Sequence, residues 1–184
     1  SVVELANNLK HGKKGAAACV GVRGTAYMAH DAEGLQWDTV ECPSFDDVCA
    51  SKPDYARSVK LQYDEQDAVR GKALLQRHGK RVLIQNPPSM PLTTEEMDHV
   101  YALPYMRTYH PSYEALGGVP AIQEVQFSII QNRGCFGACN FCALAFHQGR
   151  YIQARSHESV IEEAKKIVQM PGFKGYIHDV GGPS

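Results

Sequence analysis

Three cysteines within eight residues constrain this chain more than any other feature. They lie in Arg133-Gly134-Cys135-Phe136-Gly137-Ala138-Cys139-Asn140-Phe141-Cys142, spaced C-x3-C-x2-C, and make up half of the six cysteines in 184 residues. Thiolates are soft donors that suit iron–sulfur clusters, zinc or Cu(I). No export signal precedes them: Ser1-Val2-Val3-Glu4-Leu5 reads as an amphipathic helix already under way. Without such a signal, clustered cysteines are ligands rather than a disulfide framework, and the expected compartment is the cytoplasm. Cys19, Cys42 and Cys49 are scattered without ligand spacing and read as ordinary thiols.

Composition excludes little. Hydrophobic residues make up 43% and charged residues 21%, as in an ordinary globular protein. A net charge of −1 announces no nucleic-acid or anionic-membrane surface. No apolar run approaches the roughly 18 residues of a membrane span. The chain starts without Met, in a helix, and reads as an internal piece of a longer protein.

Three segments are expected. Residues 1–43 read as the tail of a preceding domain: a helix with Val2, Leu5, Ala6 and Leu9 on one face, then two weak strands at 17–22 and 24–29. Residues 44–120 read as a helical and irregular connector. Ser44 caps a helix there, and 54–73 is exposed helix or linker. Leu74 to Gly79 is read as a helix end, and 81–86 as a buried strand. Thr93-Thr94-Glu95-Glu96 is a capping box. Residues 121–184 change pattern. A strand over 125–130 runs into the cysteines. Ser156 caps a helix whose inner face is Val160, Ile161, Ala164, Ile167 and Val168, with Glu162 placed to pair with Lys166. A second strand runs from Gly175 to Val180. Strand, helix, strand is a βαβ unit, which pairs its strands in parallel.

An electron-transfer cubane normally takes four protein thiolates, and the local set stops at three. The residues leave three readings open. One is a [4Fe–4S] cluster with one iron not liganded by protein. Another is structural zinc on Cys135, Cys139, Cys142 and His147, although such sites more often use two separated ligand pairs. The last is coincidence among free thiols. Gly134 and Gly137, which let backbone wrap a bulky group, favour the first. So does the loop's place at a strand's C-terminal end, where barrel enzymes keep their active sites.

The loop resembles the radical S-adenosylmethionine signature C-x3-C-x-aromatic-C, with Phe141 as the aromatic. The longer string looks like the YgiQ-like family of that superfamily. It runs through His147-Gln148-Gly149-Arg150 and Gln153-Ala154-Arg155-Ser156 to Asp179-Val180-Gly181-Gly182-Pro183. Asn86-Pro87-Pro88, Leu92 to Asp98 and Ala102-Leu103-Pro104-Tyr105 are similar to it too, so the likeness is firm in the second half and loose in the first.

The resemblance implies an α/β fold: the first βαβ portion of a partial (β/α) barrel, preceded in the family by a Rossmann-like, cobalamin-binding-type domain. No cobalamin ligand motif stands in this stretch. Cys135, Cys139 and Cys142 would each bind one iron of a [4Fe–4S] cluster, with S-adenosylmethionine on the fourth. Phe141 would lie beside the adenine, chiefly through its backbone. Gly181-Gly182 would receive the methionine amino group on backbone carbonyls, Pro183 standing where the superfamily has Glu. One electron, from a donor such as flavodoxin or ferredoxin, would yield methionine and a 5′-deoxyadenosyl radical. The substrate is not implied.

Arg150 and Arg155 read either as contacts to an anionic group or, preferably, as salt bridges at the helix start with Glu158 or Asp179. His147 is a rim histidine or a proton donor, and Asp179 a catalytic acid or a turn cap.

Overall fold

The computed structural model describes residues 1–182. The chain folds as two compact units, one of residues Ser1–Met90 and one beginning at Pro91.

The first unit opens with α1 (Val2–Lys10), as expected, but buries no residue of it; Val2 and Leu9 are exposed. The first weak strand expected, at 17–22, is instead the short helix α2 (Ala16–Cys19). Its run of alanines, the best helix formers, explains the difference. Strand β1 (Ala26–Ala29) does form, and β2 (Thr39–Glu41) follows. Ser44 caps α3 (Phe45–Ala50) in a capping box with Asp47, and α4 (Lys52–Asp64) begins at Ser51.

Residues 73–79 are the clearest local departure from expectation. Ala73–His78 is strand β3, not a helix end, and pairs antiparallel with β4 (Arg81–Gln85). Gly79, at φ +58°, takes the first position of the two-residue turn between them. A glycine there is the signature of a tight hairpin. The resulting sheet has order β1-β4-β3-β2, with β2 parallel to β3. Its core is Tyr27, Val82 and Ile84. Asn86, fully buried, donates through Nδ2 to the carbonyls of Cys19 and Val22 and to Thr25 Oγ1, pinning the loop before β1.

The second unit begins with α5 (Thr94–Tyr101), closed by the expected capping box of Thr93 and Glu96. A 3-10 turn (Pro111–Leu116) and α6 (Ile122–Val125) follow. The strand expected over 125–130 is shortened to β5 (Ile129–Ile130), because residues 120–125 turn helically. Then come β6 (Asn132–Arg133), α7 (Leu144–Gln148), β7 (Gln153–Ala154), α8 (His157–Ile167) and β8 (Val180–Gly181). The strand expected from Gly175 to Val180 is likewise shortened, and β8 shares only Val180 with it. The βαβ unit stands: β5 and β8 pair in parallel with α8 between them. Phe127, Ile129 and Ile167 form the core, joined by Val160, Ala164 and Ile177.

The inner face of α8 needs correction. Ile161 and Val168, expected inside, are 53% and 51% exposed, while Glu163 is buried at 5%. Glu163 sits one turn from both Val160 and Ile167, so it occupies the stripe the apolar residues define. Glu162 pairs with Lys165 rather than Lys166. The fold is mixed α/β, and among the described residues no closed barrel forms.

Candidate functional site

The cysteine loop is an excursion with a narrow neck. Strand β5 ends at Ile130, and the chain then pairs Asn132 with Ala154 and Arg133 with Gln153 in the β6–β7 ribbon. Above that ribbon, Gly134 donates its N–H to Gln148 Oε1 at 3.2 Å and Cys135 donates to the Gly149 carbonyl at 3.1 Å. Gly134 has φ +86°, and a Cβ there would overlap the Tyr151 carbonyl. Glycine is therefore required twice over, by backbone conformation and by space.

Within the loop, Cys135 is buried and Cys139 exposed, with Cys142 between those limits. Gly137 donates its N–H to Cys135 Sγ at 3.4 Å, and the Cys139 thiol reaches the Gly137 carbonyl at 3.8 Å. A Cβ on Gly137 would stand 3.4 Å from one sulfur and 3.7 Å from the other, so the two thiols flank the space over this glycine. Cys142 closes a turn by donating its N–H to the Cys139 carbonyl. Ala138 takes the left-handed conformation at φ +47°, costly for a residue with a side chain. Among the described residues no three His, Cys, Asp or Glu side chains stand together as a ready metal cage. The loop thus brings two thiols together and holds the third nearby in sequence, without gathering all three; His147 does not complete a set either. Binding a metal centre commonly supplies the energy that gathers such ligands.

Gly181 and Gly182 lie at the same strand ends. Gly181 is in register with Ile130, and its carbonyl accepts the Gln131 N–H at 2.8 Å. A Cβ on Gly182 would come within 2.5 Å of the Asn132 carbonyl oxygen and of Asn132 Oδ1. The glycine pair therefore adjoins the segment that leads into Cys135. Phe141 is 89% exposed, and Phe136 is exposed as well. Pro183 lies outside the described residues.

The remaining polar candidates separate. Arg155 does form a salt bridge, but with Glu163, and not with Glu158 or Asp179. Arg133 Nη2 reaches the His147 carbonyl at 3.5 Å, so His147 contributes backbone there. The Asp179 carbonyl accepts the Ile129 N–H in the β5–β8 pairing. A groove of 260 Å³ lined by Asp98, Tyr101, Ser156, Ser159, Glu163 and Lys166 runs between α5 and α8. At its end the Asp98 carboxylate accepts the Ser156 N–H at 2.9 Å, where the positive end of α8 begins. The Ser156 hydroxyl, above all, holds the Asp98 carboxyl below the usual carboxylate range. Tyr101, Arg107 and Glu163 lay outside the strings read from the sequence, and Asp98 only closed the one that begins at Leu92; a further visible signal was an acid, Glu163, on the apolar stripe of α8.

The chain has relatives along its whole length. Residues 1–128 match the family model described as Radical SAM N-terminal. A "UPF0313 protein" of Clostridium botulinum (strain ATCC 19397 / Type A) is 55% identical over 183 residues, covering 100% of this chain and 28% of the relative. A "UPF0313 protein" of Clostridium perfringens (strain SM101 / Type A) is 49% identical over the same share of each chain. The chain thus spans 28% of the length of these curated relatives. No solved structure matches. The family model covers the first half, where the likeness was expected to be loose, and ends before the cysteines. The chain belongs to the Radical SAM N-terminal family and, with its UPF0313 relatives, to the YgiQ-like branch of the radical S-adenosylmethionine superfamily.

Proposed function

We propose that this chain forms the cluster-binding part of a radical S-adenosylmethionine enzyme, with Cys135, Cys139 and Cys142 each holding one iron of a [4Fe–4S] cluster. The observation that carries the reading is the three-thiol loop springing from the C-terminal end of a parallel strand, beside the glycine pair at the end of the next. The β5–α8–β8 crossover is in this reading the first portion of a partial (β/α) barrel.

The donor set fits the group chemically. Three soft thiols with no fourth thiol in the loop leave one iron for a substrate-like ligand, the logic that separates catalytic from structural metal sites. The Gly137 N–H is directed at Cys135 Sγ. Backbone N–H groups directed at cluster sulfurs tune reduction potential. Held by Cys135, Cys139 and Cys142, such a cluster with S-adenosylmethionine on its open iron would supply one-electron reductive cleavage of the cofactor's sulfonium bond.

The chain's own residues bind and orient. The Gly181 carbonyl already accepts one N–H from Gln131, and its second lone pair, with the Gly182 carbonyl, is what remains for an ammonium group. A side chain at Gly182 would close that approach by colliding with Asn132. Phe141, 89% exposed, would lie beside the adenine, chiefly through its backbone. The electron comes from a small redox protein such as a flavodoxin or ferredoxin, and residues beyond this chain select the substrate.

Anaerobic reconstitution of the full-length protein tests the reading. Four irons and four sulfides per chain are expected, with S-adenosylmethionine perturbing the reduced cluster's electron paramagnetic resonance. Cys135→Ala, Cys139→Ala and Cys142→Ala should each abolish cluster retention, and Cys19→Ala should leave it intact. One tightly held zinc without sulfide would instead establish a structural module and sink the enzyme reading.

A further inference from the structure

We propose that Arg155 is a positioning residue that locks the neck of the cysteine loop, and that Glu163 holds it in place; in its function, though not in its geometry, the proposal rests on the cluster reading above.

All five N–H donors of the Arg155 guanidinium are used. Nη1 donates to the Ile130 carbonyl at 2.8 Å and to Glu163 Oε2. Nη2 donates to the Ser159 carbonyl at 3.0 Å and to Ser159 Oγ at 2.9 Å, and Nε also reaches Ser159 Oγ, at 3.1 Å. The plane lies over the Tyr101 ring, 4.3 Å from its centre. The backbone N–H of Arg155 donates to the Gln131 carbonyl at 3.0 Å. One residue therefore takes both carbonyls at the end of β5, just before β6 begins. The excursion that carries the cysteines leaves at Asn132 and returns at Ala154. Arg155 closes it at the first position after the return.

The side chain is 1% exposed, so its charge must be balanced locally. Glu163 does this and is itself shared: Oε2 faces Arg155 and Oε1 faces Arg107 Nη2 at 2.5 Å. Arg107 takes the left-handed backbone conformation, φ +54°, which a non-glycine residue adopts at a cost and keeps only when its surroundings hold it. The Arg107–Glu163–Arg155 row thus ties the segment after α5, the buried face of α8 and the end of β5 to one carboxylate. Lysine cannot substitute. A single ammonium has three donors and no planar fork, so it cannot serve Ile130, Ser159 and Glu163 at once.

The row differs from a general core contact in where its loss is felt. Removing it frees the Ile130 carbonyl and leaves the neck held there only by the Arg155 backbone N–H on Gln131, while the core of Phe127, Ile129 and Ile167 keeps its apolar contacts. The expected result is a folded protein whose cysteines are no longer presented together.

Amide hydrogen exchange on the full-length apo-protein, compared with cluster retention after reconstitution, tests this. In Arg155→Lys and in Glu163→Gln, exchange in a peptide covering 129–135 should rise about tenfold or more, the effect of losing a charge-assisted bond. Exchange in a peptide covering 73–85, in the other unit, should be unchanged. Both variants should lose their iron on gel filtration under conditions where the unsubstituted protein keeps it. Glu163→Gln, which retains an acceptor at the same place, carries both readouts if Arg155→Lys does not fold. Unchanged exchange over 129–135, equal acceleration in both peptides, or full iron retention in a folded variant would each overturn the proposal. If the unsubstituted protein takes up no cluster, the functional reading fails, and the exchange measurement alone still decides whether Arg155 holds the neck.

Discussion

Gly134→Ala is the sharpest test of how the cysteine loop is built. At φ +86° the residue sits in the left-handed region, and an alanine there costs about 1–2 kcal/mol. The new methyl also meets the Tyr151 carbonyl, which is backbone and cannot rotate away. The strands of the neck must part, putting at risk the bonds from Gly134 to Gln148 and from Cys135 to Gly149. Each contributes about 0.5–1.5 kcal/mol. The total is roughly 3–4 kcal/mol, a large part of a small unit's stability. Gly172→Ala is the matched control. Its φ is +80°, but a Cβ there meets nothing within 4 Å, so only the conformational cost of about 1–2 kcal/mol applies. Urea unfolding followed by circular dichroism measures both. Equal losses in the two variants would refute the claim that the neck is closed tightly around Gly134.

Gly137→Ala should behave in the opposite way. Its methyl would make ordinary contacts with Cys135 Sγ and Cys139 Sγ, so the unfolding midpoint should hold while cluster retention falls, read as iron per chain. Ile167→Ala should cost about 3 kcal/mol in urea unfolding, since the side chain is fully buried, whereas Ile161→Ala, half exposed on the same helix, should cost under about 0.5 kcal/mol. Asp98 sets a pH dependence. Its folded carboxyl titrates below the unfolded value, chiefly through the Ser156 hydroxyl, so its contribution is present above the unfolded pKa and is lost as pH falls through the folded one. Asp98→Asn should flatten the stability profile of the second unit on the acid side of about pH 4, checked by thermal melts at stepped pH.

Local chemistry was legible wherever one residue decides an outcome. Thr93 with Glu96, Ser44 and Ser156 cap helices as their types require, and the strand–helix–strand order around α8 produced the parallel pair. Reading failed where neighbours decide. Leu74 to His78 has no alternation that separates strand from helix, and the hairpin depends on pairing with residues 81–85 through a glycine turn. Glu163 stands on the apolar stripe of α8, but nothing local says which groups balance its charge there. Its burial depends on two arginines, one eight residues before it and one far back at 107.

What the sequence determined by itself is the donor set: three thiols at a spacing that forces them into one loop, a count of cysteines that leaves no fourth beside them, and the glycines that let the backbone turn. Chain-local spacing suffices for this, because residues so near in sequence cannot separate. Only the tertiary structure decided that the loop has a neck, that Gly182 lies against Asn132, and that Arg155 takes the Ile130 carbonyl with its buried guanidinium and the Gln131 carbonyl with its backbone N–H. Those facts depend on contacts between segments distant along the chain, where packing and charge balance select among arrangements that local preference leaves equal.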